Sequence, residues 1–118
     1  MRVTKNDVRD SITEVREKSW EINYNGAECR FESDDTESAV ISHVYVPEDM
    51  RNNNIGTAML QIAEQTVKNE TNAEWLYLQI GAPTDATEHV VSEKLGYTIL
   101  GTMEKETLGK VIDAQKQL

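Results

Sequence analysis

The chain has 118 residues, 38% of them hydrophobic and 28% charged, which is typical of one soluble globular domain and excludes wholesale disorder. Its 21 acidic and 12 basic side chains give a net charge of −9, which argues against nucleic acid as a partner. We expect a cytoplasmic protein without a disulfide, because there is one cysteine, no apolar run long enough for a membrane helix and no pattern of a signal peptide.

The first predicted element is a helix. Apolar side chains at Val8, Ile12 and Val15 follow each other at spacings of four and three, between charged residues. This spacing places them on one helical stripe, so it predicts an amphipathic helix within residues 1–18.

A β-hairpin is predicted next. Two alternating segments, residues 20–24 and 27–31, are joined by Asn25-Gly26, the dipeptide that best fits a two-residue hairpin turn. Cys29 alternates with Ala27 and Phe31, so we interpret it as a small core residue and not as a nucleophile.

The middle of the chain predicts a parallel pair of strands. Residues 39–46 are rich in β-branched side chains and predict a central strand that ends at Pro47. Residues 56–69 predict an amphipathic helix, and residues 75–80 form a near-continuous apolar run, typical of a strand covered on both faces. A strand, a helix and a second strand in this order predict a crossover between parallel strands.

The C-terminal third completes the predicted fold. Residues 86–95 predict a second helix ended by Gly96, residues 97–103 a strand, and residues 109–118 a last antiparallel strand, with a short helix as the alternative. We therefore expect a single domain over residues 1–118, of the α/β (α+β) class, with a mixed sheet of about six strands and a central parallel pair flanked by helices. Its parts are the N-terminal helix (1–18), antiparallel strands (20–46), a loop and helix (47–70), and a strand–helix–strand unit with the C-terminal strand (75–118).

The loop between residues 46 and 56 is a candidate anion site. A polar loop that leads from a strand into a helix presents unpaired N–H groups at the positive end of the helix dipole. Gly56 would allow a phosphate to approach the backbone closely, and Asn54 tolerates the left-handed conformation that glycine usually supplies. The pattern predicts a bound phosphate or pyrophosphate.

Two blocks of sequence resemble the GNAT superfamily of acyl-CoA-dependent N-acetyltransferases. In the first, residues 44–60, Arg51, Asn54 and Gly56 match the positions of the family motif Arg/Gln-x-x-Gly-x-Gly/Ala. The second, residues 91–97, is similar to the family's aromatic-Tyr-Glu-Lys-x-Gly-Phe/Tyr. The resemblance spans residues 20–118 and implies acetyl-CoA as co-substrate in the gap between two splayed parallel strands. The residues it implies for binding acetyl-CoA are Val44, Tyr45, Val46, Arg51, Asn52, Asn53, Asn54, Ile55, Gly56 and Thr57.

The activity that the resemblance implies is acetyl transfer to an amine by direct attack, without a metal. In the family, a Glu or His on the first splayed strand often serves as base and a Tyr in the second block as acid. Counting by two from Val44 places Ser42 and Val40 toward the acyl group and turns His43 to the other face. Ser92 stands at the acid position, and His89 lies one helical turn before it. The candidate catalytic residues are thus Ser42, His89 and Ser92, and we expect no single protein base to be indispensable.

Two other functions stay open. The chain is alternatively an acyl-CoA-binding domain with little or no catalysis, or a small α/β interaction module. For the enzyme, the expected acceptor is a small amine or a basic peptide, which the acidic surface would attract, with no nucleic acid or membrane as partner. We also expect a homodimer formed through the exposed edge of the C-terminal strand.

Overall fold

The computed structural model describes residues 3–33, 37–50, 53–81, 90–105 and 109–118. The helices in these ranges are α1 (Lys5–Val8) and α2 (Ile55–Glu70), with 3-10 turns at Arg9–Ser11 and Glu48–Met50 and a π-helical turn at Val90–Lys94. The strands are β1 (Ile12–Arg16), β2 (Ser19–Tyr24), β3 (Ala27–Ser33), β4 (Ser38–Tyr45), β5 (Trp75–Gly81), β6 (Thr98–Lys105) and β7 (Gly109–Gln117).

These strands form one mixed sheet in the order β1-β2-β3-β4-β5-β7-β6. The pair β4 and β5 is parallel, with Ser38 opposite Trp75 and Ile41 opposite Leu78, and the other described pairs are antiparallel. The predicted fold class and its central parallel pair are therefore confirmed. The second predicted helix, residues 86–95, lies mostly outside the described residues.

The predicted hairpin is confirmed, and its turn explains its sequence. Asn25 and Gly26 have φ values of 50° and 95°, the positive values that a two-residue turn of this type requires. The turn sets the register of β2 and β3, which places Trp20 and Phe31 opposite each other with their rings stacked at 5.4 Å. This register buries the inward face of the hairpin.

Cys29 lies on that inward face and is fully buried. Burial disfavours the thiolate and raises the pKa of the Cys29 thiol from 9.0 to about 12. The thiol therefore stays neutral at physiological pH, and the prediction of a core residue is confirmed. Because the folded-state pKa is the higher one, the associated stability is present below pH 9 and is lost as the pH rises toward 12.

We predict that iodoacetamide labels Cys29 only when the protein unfolds. The reagent needs a thiolate that it can reach, and the folded state provides neither the charge nor the access. Mass spectrometry at pH 8 should show little labelling of the native protein and complete labelling in denaturing urea. Equal labelling rates in the two conditions would contradict the buried position.

The helix predicted for residues 1–18 is wrong beyond its first turn. The helix ends at Val8, a 3-10 turn follows, and residues 12–16 form the edge strand β1, which pairs with β2. Val8 is buried, but Val15 is 52% exposed, so the three apolar residues do not share a face. The strand forms because the edge of β2 offers backbone partners to a segment rich in β-branched residues. This extra strand brings the described total to seven instead of about six.

Helix α2 packs its apolar face onto the sheet as the sequence predicts. Its inward side chains are buried, namely Ile55, Ala58, Met59, Leu60, Ile62, Ala63 and Val67. At its C-terminal half, Glu64 forms an ion pair with Lys116 of β7 at 2.8 Å, and the Lys116 ammonium lies 5.9 Å from the ring of Tyr97. The helix thus covers one face of β3, β4, β5 and β7.

The other face of the sheet is open at its centre. Leu76 and Leu78 of β5 are buried against the helix side, whereas Tyr77 and Gln79 point to the opposite face and are exposed. The prediction that β5 is covered on both faces is therefore wrong. Among the described elements both helices lie on one side, because the short α1 packs against α2 instead of crossing the opposite face.

The C-terminal strand is confirmed, but it is not an edge. Strand β7 pairs with β5 on one side and with β6 on the other, so the edges of the described sheet are β1 and β6. The position of β7 in the sheet does not follow its order in the chain, because β7 is antiparallel to both β5 and β6 and can therefore pair with the two of them at once. In the described part of the chain, neither helix has the length and apolar character needed to span a bilayer.

Candidate active site

The parallel strands β4 and β5 separate halfway along their length. Their pairing ends at Ile41 and Leu78, yet β4 continues to Tyr45 beside β3, and β5 continues to Gly81 beside β7. The edge of β4 that faces β5 is therefore open from Ser42 onward. The splayed pair expected from the family resemblance is confirmed.

A β-bulge at Ser42 accompanies this separation. Arg30 of β3 lies opposite His43 and Phe31 lies opposite Ile41, so Ser42 has no partner residue in β3. An extra residue bends its strand and increases the local twist. The bulge immediately follows Ile41, the last residue of β4 paired with β5, and so accounts for the divergence of the strands.

The bulge also reverses the predicted facing of the residues after it. Val44 lies opposite the buried Cys29 and packs against the core, whereas His43 lies opposite the exposed Arg30. His43 is therefore on the open face together with Val40, and Val44 is on the helix face. The prediction that Ser42 and Val44 share a face and that His43 points away is wrong, because counting by two fails across an inserted residue.

His43 is held near a carboxylate on the open face. Its Nε2 lies 3.8 Å from Oε2 of Glu28, is shielded from solvent and has no hydrogen-bond partner among the described residues. Glu28 also lies 3.6 Å from the guanidinium of Arg30. A proton on Nε2 would be stabilised by Glu28, so the other ring nitrogen is the one suited to accept a proton.

The loop after β4 leads into α2 through a left-handed residue. Asn54 has φ 68° and ψ 16°, as expected for an asparagine at a glycine position of the family motif, and α2 begins at Ile55. Arg51 and Asn52 lie outside the described residues. In the described part of the loop, the backbone N–H groups of Ile55, Gly56 and Thr57 have no acceptor, and the first helical bond is from Ala58 to Asn54 at 3.0 Å. The first turn of α2 carries no acidic residue, so these donors are suited to an anion.

Gly56 is not required by the fold. Its φ is not in the left-handed region, and an added Cβ would make only an ordinary contact of 3.7 Å with Cγ2 of Val46. Alanine would favour the helix more than glycine does. The absence of a side chain here is consistent with close approach of a ligand to the backbone.

The N-terminal segment fixes this loop by two hydrogen bonds. The Val3 N–H donates to the Asn53 carbonyl at 2.7 Å, and the Asn54 side-chain amide donates to the Val3 carbonyl at 2.9 Å. Asparagine therefore does two things at this position: it adopts the left-handed conformation and it ties the loop to Val3. A glycine at this position could do only the first.

We predict that replacing Asn54 lowers the free energy of unfolding in a defined order. Asn54→Gly removes only the bond to Val3 and should cost about 1 kcal/mol. Asn54→Ala removes the same bond and also loses the tolerance of asparagine for the left-handed conformation, which costs alanine roughly 1 kcal/mol or more. Urea unfolding would measure both values, and an alanine variant as stable as the glycine variant would contradict the importance of the backbone conformation.

A cavity of about 530 Å³ lies on the open face where β4 and β5 separate. The residues that line it come from four strands: Val40, Ile41, Ser42, Tyr77, Leu78, Gln79, Leu100, Gly101, Asp113 and Ala114. Of the predicted catalytic residues, Ser42 lines it. Tyr77, Gln79, Leu100 and Asp113 were not predicted from the sequence. Only the alternation of Tyr77 and Gln79 with buried leucines could have signalled part of this set.

The remaining predicted site residues lie elsewhere. Ser92 is half-buried in the π-helical turn and does not line the cavity, and His89 lies outside the described residues. Tyr97, which follows Gly96, is buried in the core, where desolvation and then the nearby Glu64 carboxylate raise the pKa of its phenol well above the usual range. Tyr97 therefore has a packing role in the core.

Several solved structures share this fold at low sequence identity. The acetyltransferase of the GNAT family from Streptococcus pneumoniae aligns with a TM-score of 0.69 at 17% identity, over 88% of this chain and 69% of that one. A GNAT family acetyltransferase from Elizabethkingia anophelis with acetyl-CoA bound gives 0.61 at 16% identity, over 96% and 80% of the two chains. Arabidopsis thaliana Naa50, in complex with the bisubstrate analogue CoA-Ac-MVNAL, gives 0.63 at 16% identity, over 86% and 74%. These similarities establish the fold.

The family follows from the sequence itself. No curated protein sequence matches the chain significantly. The profile of the Acetyltransferase (GNAT) family, however, matches residues 18–97, which include the hairpin, the splayed strands, the loop before α2 and both motif blocks. The acetyltransferase class predicted from those two blocks is thereby confirmed, and the chain belongs to the acetyltransferase (GNAT) family.

Proposed function

We propose that this chain is an N-acetyltransferase that transfers the acetyl group of acetyl-CoA to a primary amine. The observation that carries the proposal is the junction of two features: the edge of β4 that opens beyond Ile41, and the N–H groups of Ile55, Gly56 and Thr57 at the start of α2, which have no acceptor among the described residues. An extended amide-containing arm fits the first, and a pyrophosphate fits the second. The acetyl-CoA in the Elizabethkingia anophelis structure and the CoA analogue in the Naa50 structure support this assignment.

The residues proposed to bind acetyl-CoA follow from this junction. The backbone of Val44, Tyr45 and Val46 would pair with the amides of the pantetheine arm. The N–H groups of the loop from Asn53 to Thr57 would hold the pyrophosphate, with Arg51 and Asn52 contributing from the undescribed part of the same loop. Gly56 fits this role because its backbone is accessible.

The chemistry requires little covalent participation from the protein. When bound, acetyl-CoA supplies a thioester that is already activated toward amines. In the net reaction a protonated amine and the thioester give an amide, a thiol and a proton: the nitrogen forms the new C–N bond, the C–S bond breaks, and the departing sulfur is protonated. The chain has to orient the amine, accept its proton and stabilise the leaving sulfur.

His43 is the side chain best placed to accept the proton. It lies on the open face, one residue beyond Ser42 of the cavity, with Glu28 beside its Nε2. Ser42 and Ser92 are proposed to donate hydrogen bonds to the acyl oxygen or to the sulfur, and His89 is proposed as a further contributor near Ser92. This proposal differs from the expectation from the sequence that no single protein base is indispensable.

Two measurements test the proposed function against its alternatives. Retention on a CoA affinity resin with elution by free CoA is expected for an acetyltransferase and for a domain that only binds acyl-CoA, but not for an interaction module. Acetyl transfer from acetyl-CoA to a panel of primary amines and basic peptides then separates the enzyme from the binding domain. Retention without transfer to any acceptor would favour the binding domain, and no retention would overturn both.

Dimerisation and cellular location are two further proposals. We propose a homodimer that pairs through an exposed edge, which in this sheet is β1 or β6. A sedimentation mass of 13.4 kDa at micromolar concentration, equal to one chain, would contradict it. We also propose that the protein acts in the cytoplasm, which fractionation of cells that express it would test.

A further inference from the structure

The cavity on the open face has a wall that is unusually apolar for an exposed surface. Three large side chains on it are accessible to solvent: Val40 is 37% exposed, Tyr77 is 36% exposed and Leu100 is 54% exposed. They come from β4, β5 and β6, so the sheet brings them together although they are far apart in sequence. Exposed apolar side chains that line one concave surface are typical of a binding site.

One charged side chain stands on this wall. Among the described lining residues only Asp113 is charged at neutral pH. Its Oδ1 accepts a hydrogen bond of 2.9 Å from Nε2 of Gln79, its cross-strand partner. This bond orients the carboxylate and uses only part of its acceptor capacity. The rest remains available to a donor that enters the cavity.

The cavity is located at the point where the acyl group is expected. Its lining includes Ile41 and Leu78, the last residues paired between β4 and β5, and Ser42 and Gln79, the first beyond them. An acceptor in the cavity would therefore lie beside the opened edge of β4. The net charge of −9 would draw a cation toward it.

From this arrangement, and resting on the proposed function, we infer that the acceptor is a primary ammonium attached to an apolar group. The ammonium binds the carboxylate of Asp113, and the apolar group contacts Val40, Tyr77 and Leu100. A carboxylate provides the strong, charge-assisted hydrogen bond that an ammonium requires. The apolar wall favours a hydrophobic substituent over a polar or highly charged one, such as that of a polyamine.

Three probes separate the contribution of the ammonium from that of the apolar group. L-Leucinamide has both the ammonium and an apolar side chain, glycinamide has the ammonium alone, and N-acetyl-leucinamide has the apolar side chain without the charge. Transfer from acetyl-CoA gives KM and kcat for the two amines. Binding of all three without acetyl-CoA is followed by NMR at Tyr77 and Leu100, so that recognition is measured independently of catalysis.

Three variants test the residues. Asp113→Asn keeps the acceptor for Gln79 but removes the charge, and should raise KM for both amines by roughly 10- to 100-fold. Leu100→Ser should raise KM for leucinamide by about 3- to 30-fold and change that for glycinamide much less. Glu17→Gln serves as the matched control, because it removes the same charge from the exposed turn between β1 and β2, next to the opposite edge of the sheet. CoA affinity by calorimetry should be the same in all of them.

The possible results distinguish this inference from the function on which it rests. Suppose that the wild type acetylates amines. If Asp113→Asn then has the same KM as Glu17→Gln, or if the wild type binds glycinamide as tightly as leucinamide, the inference is overturned and the proposed function stands. If no amine is acetylated but leucinamide binds at Tyr77 and Leu100 and loses this binding in Asp113→Asn, the amine site stands and the proposed function fails. Binding of N-acetyl-leucinamide as tight as that of leucinamide would overturn the role of Asp113.

Discussion

Replacing Gly56 with valine should weaken CoA binding by on the order of 100-fold or more. The branched side chain would separate the pyrophosphate from several N–H donors, and each of these donors contributes a charge-assisted hydrogen bond. The fold should tolerate a small side chain, since a Cβ at this position meets only Val46 at 3.7 Å. Gly56→Ala is therefore the matched variant: its free energy of unfolding should be equal or higher by about 0.5–1 kcal/mol, while its CoA affinity falls by less than that of the valine variant.

Calorimetry with CoA and urea unfolding of the same samples would measure the two effects separately. A second ligand control is acetyl-pantetheine, which lacks the pyrophosphate. Both Gly56 variants should use it as well as the wild type does. If Gly56→Val binds CoA with wild-type affinity, the pyrophosphate lies elsewhere and the assignment of the loop fails.

Replacing His43 with alanine should lower kcat by about 10²- to 10⁴-fold if it accepts the proton of the amine, the range typical of a lost general base. The reason is its position on the open face beside Ser42, with Glu28 at 3.8 Å from Nε2. His43→Gln keeps much of the shape and should be equally slow, because glutamine cannot accept the proton. Affinity for CoA should change little in either variant.

A second variant on the same strand gives an independent criterion. Ser42→Ala serves as the control on the same bulge, with an expected loss below about 10-fold, because it removes a hydrogen bond and not a base. If His43→Ala retains more than a tenth of the wild-type kcat, the expectation from the sequence that no single protein base is indispensable is the better account.

The features that the sequence determined by itself are those set by neighbours along the chain. Asn25-Gly26 specifies a two-residue turn through its positive φ values, and that turn fixes the register that buries Cys29. The apolar stripe of α2 and the left-handed Asn54 before it are equally local, so the helix and the loop could be predicted together. The family resemblance added what local physics does not contain, namely the proposal that this loop binds a CoA pyrophosphate.

The tertiary structure decided the strand pairings that no local pattern specifies. Residues 12–16 have a spacing that fits a helix, and they became a strand because β2 left an edge unpaired. The bulge at Ser42 exists only relative to β3, so no pattern within β4 could show that His43 turns to the open face. The cavity joins Tyr77, Leu100 and Asp113 from three strands, because β7 inserts between β5 and β6. Pairing between distant segments is a property of the whole chain, and for that reason the loop before α2 could be predicted from the sequence whereas the cavity on the open face could not.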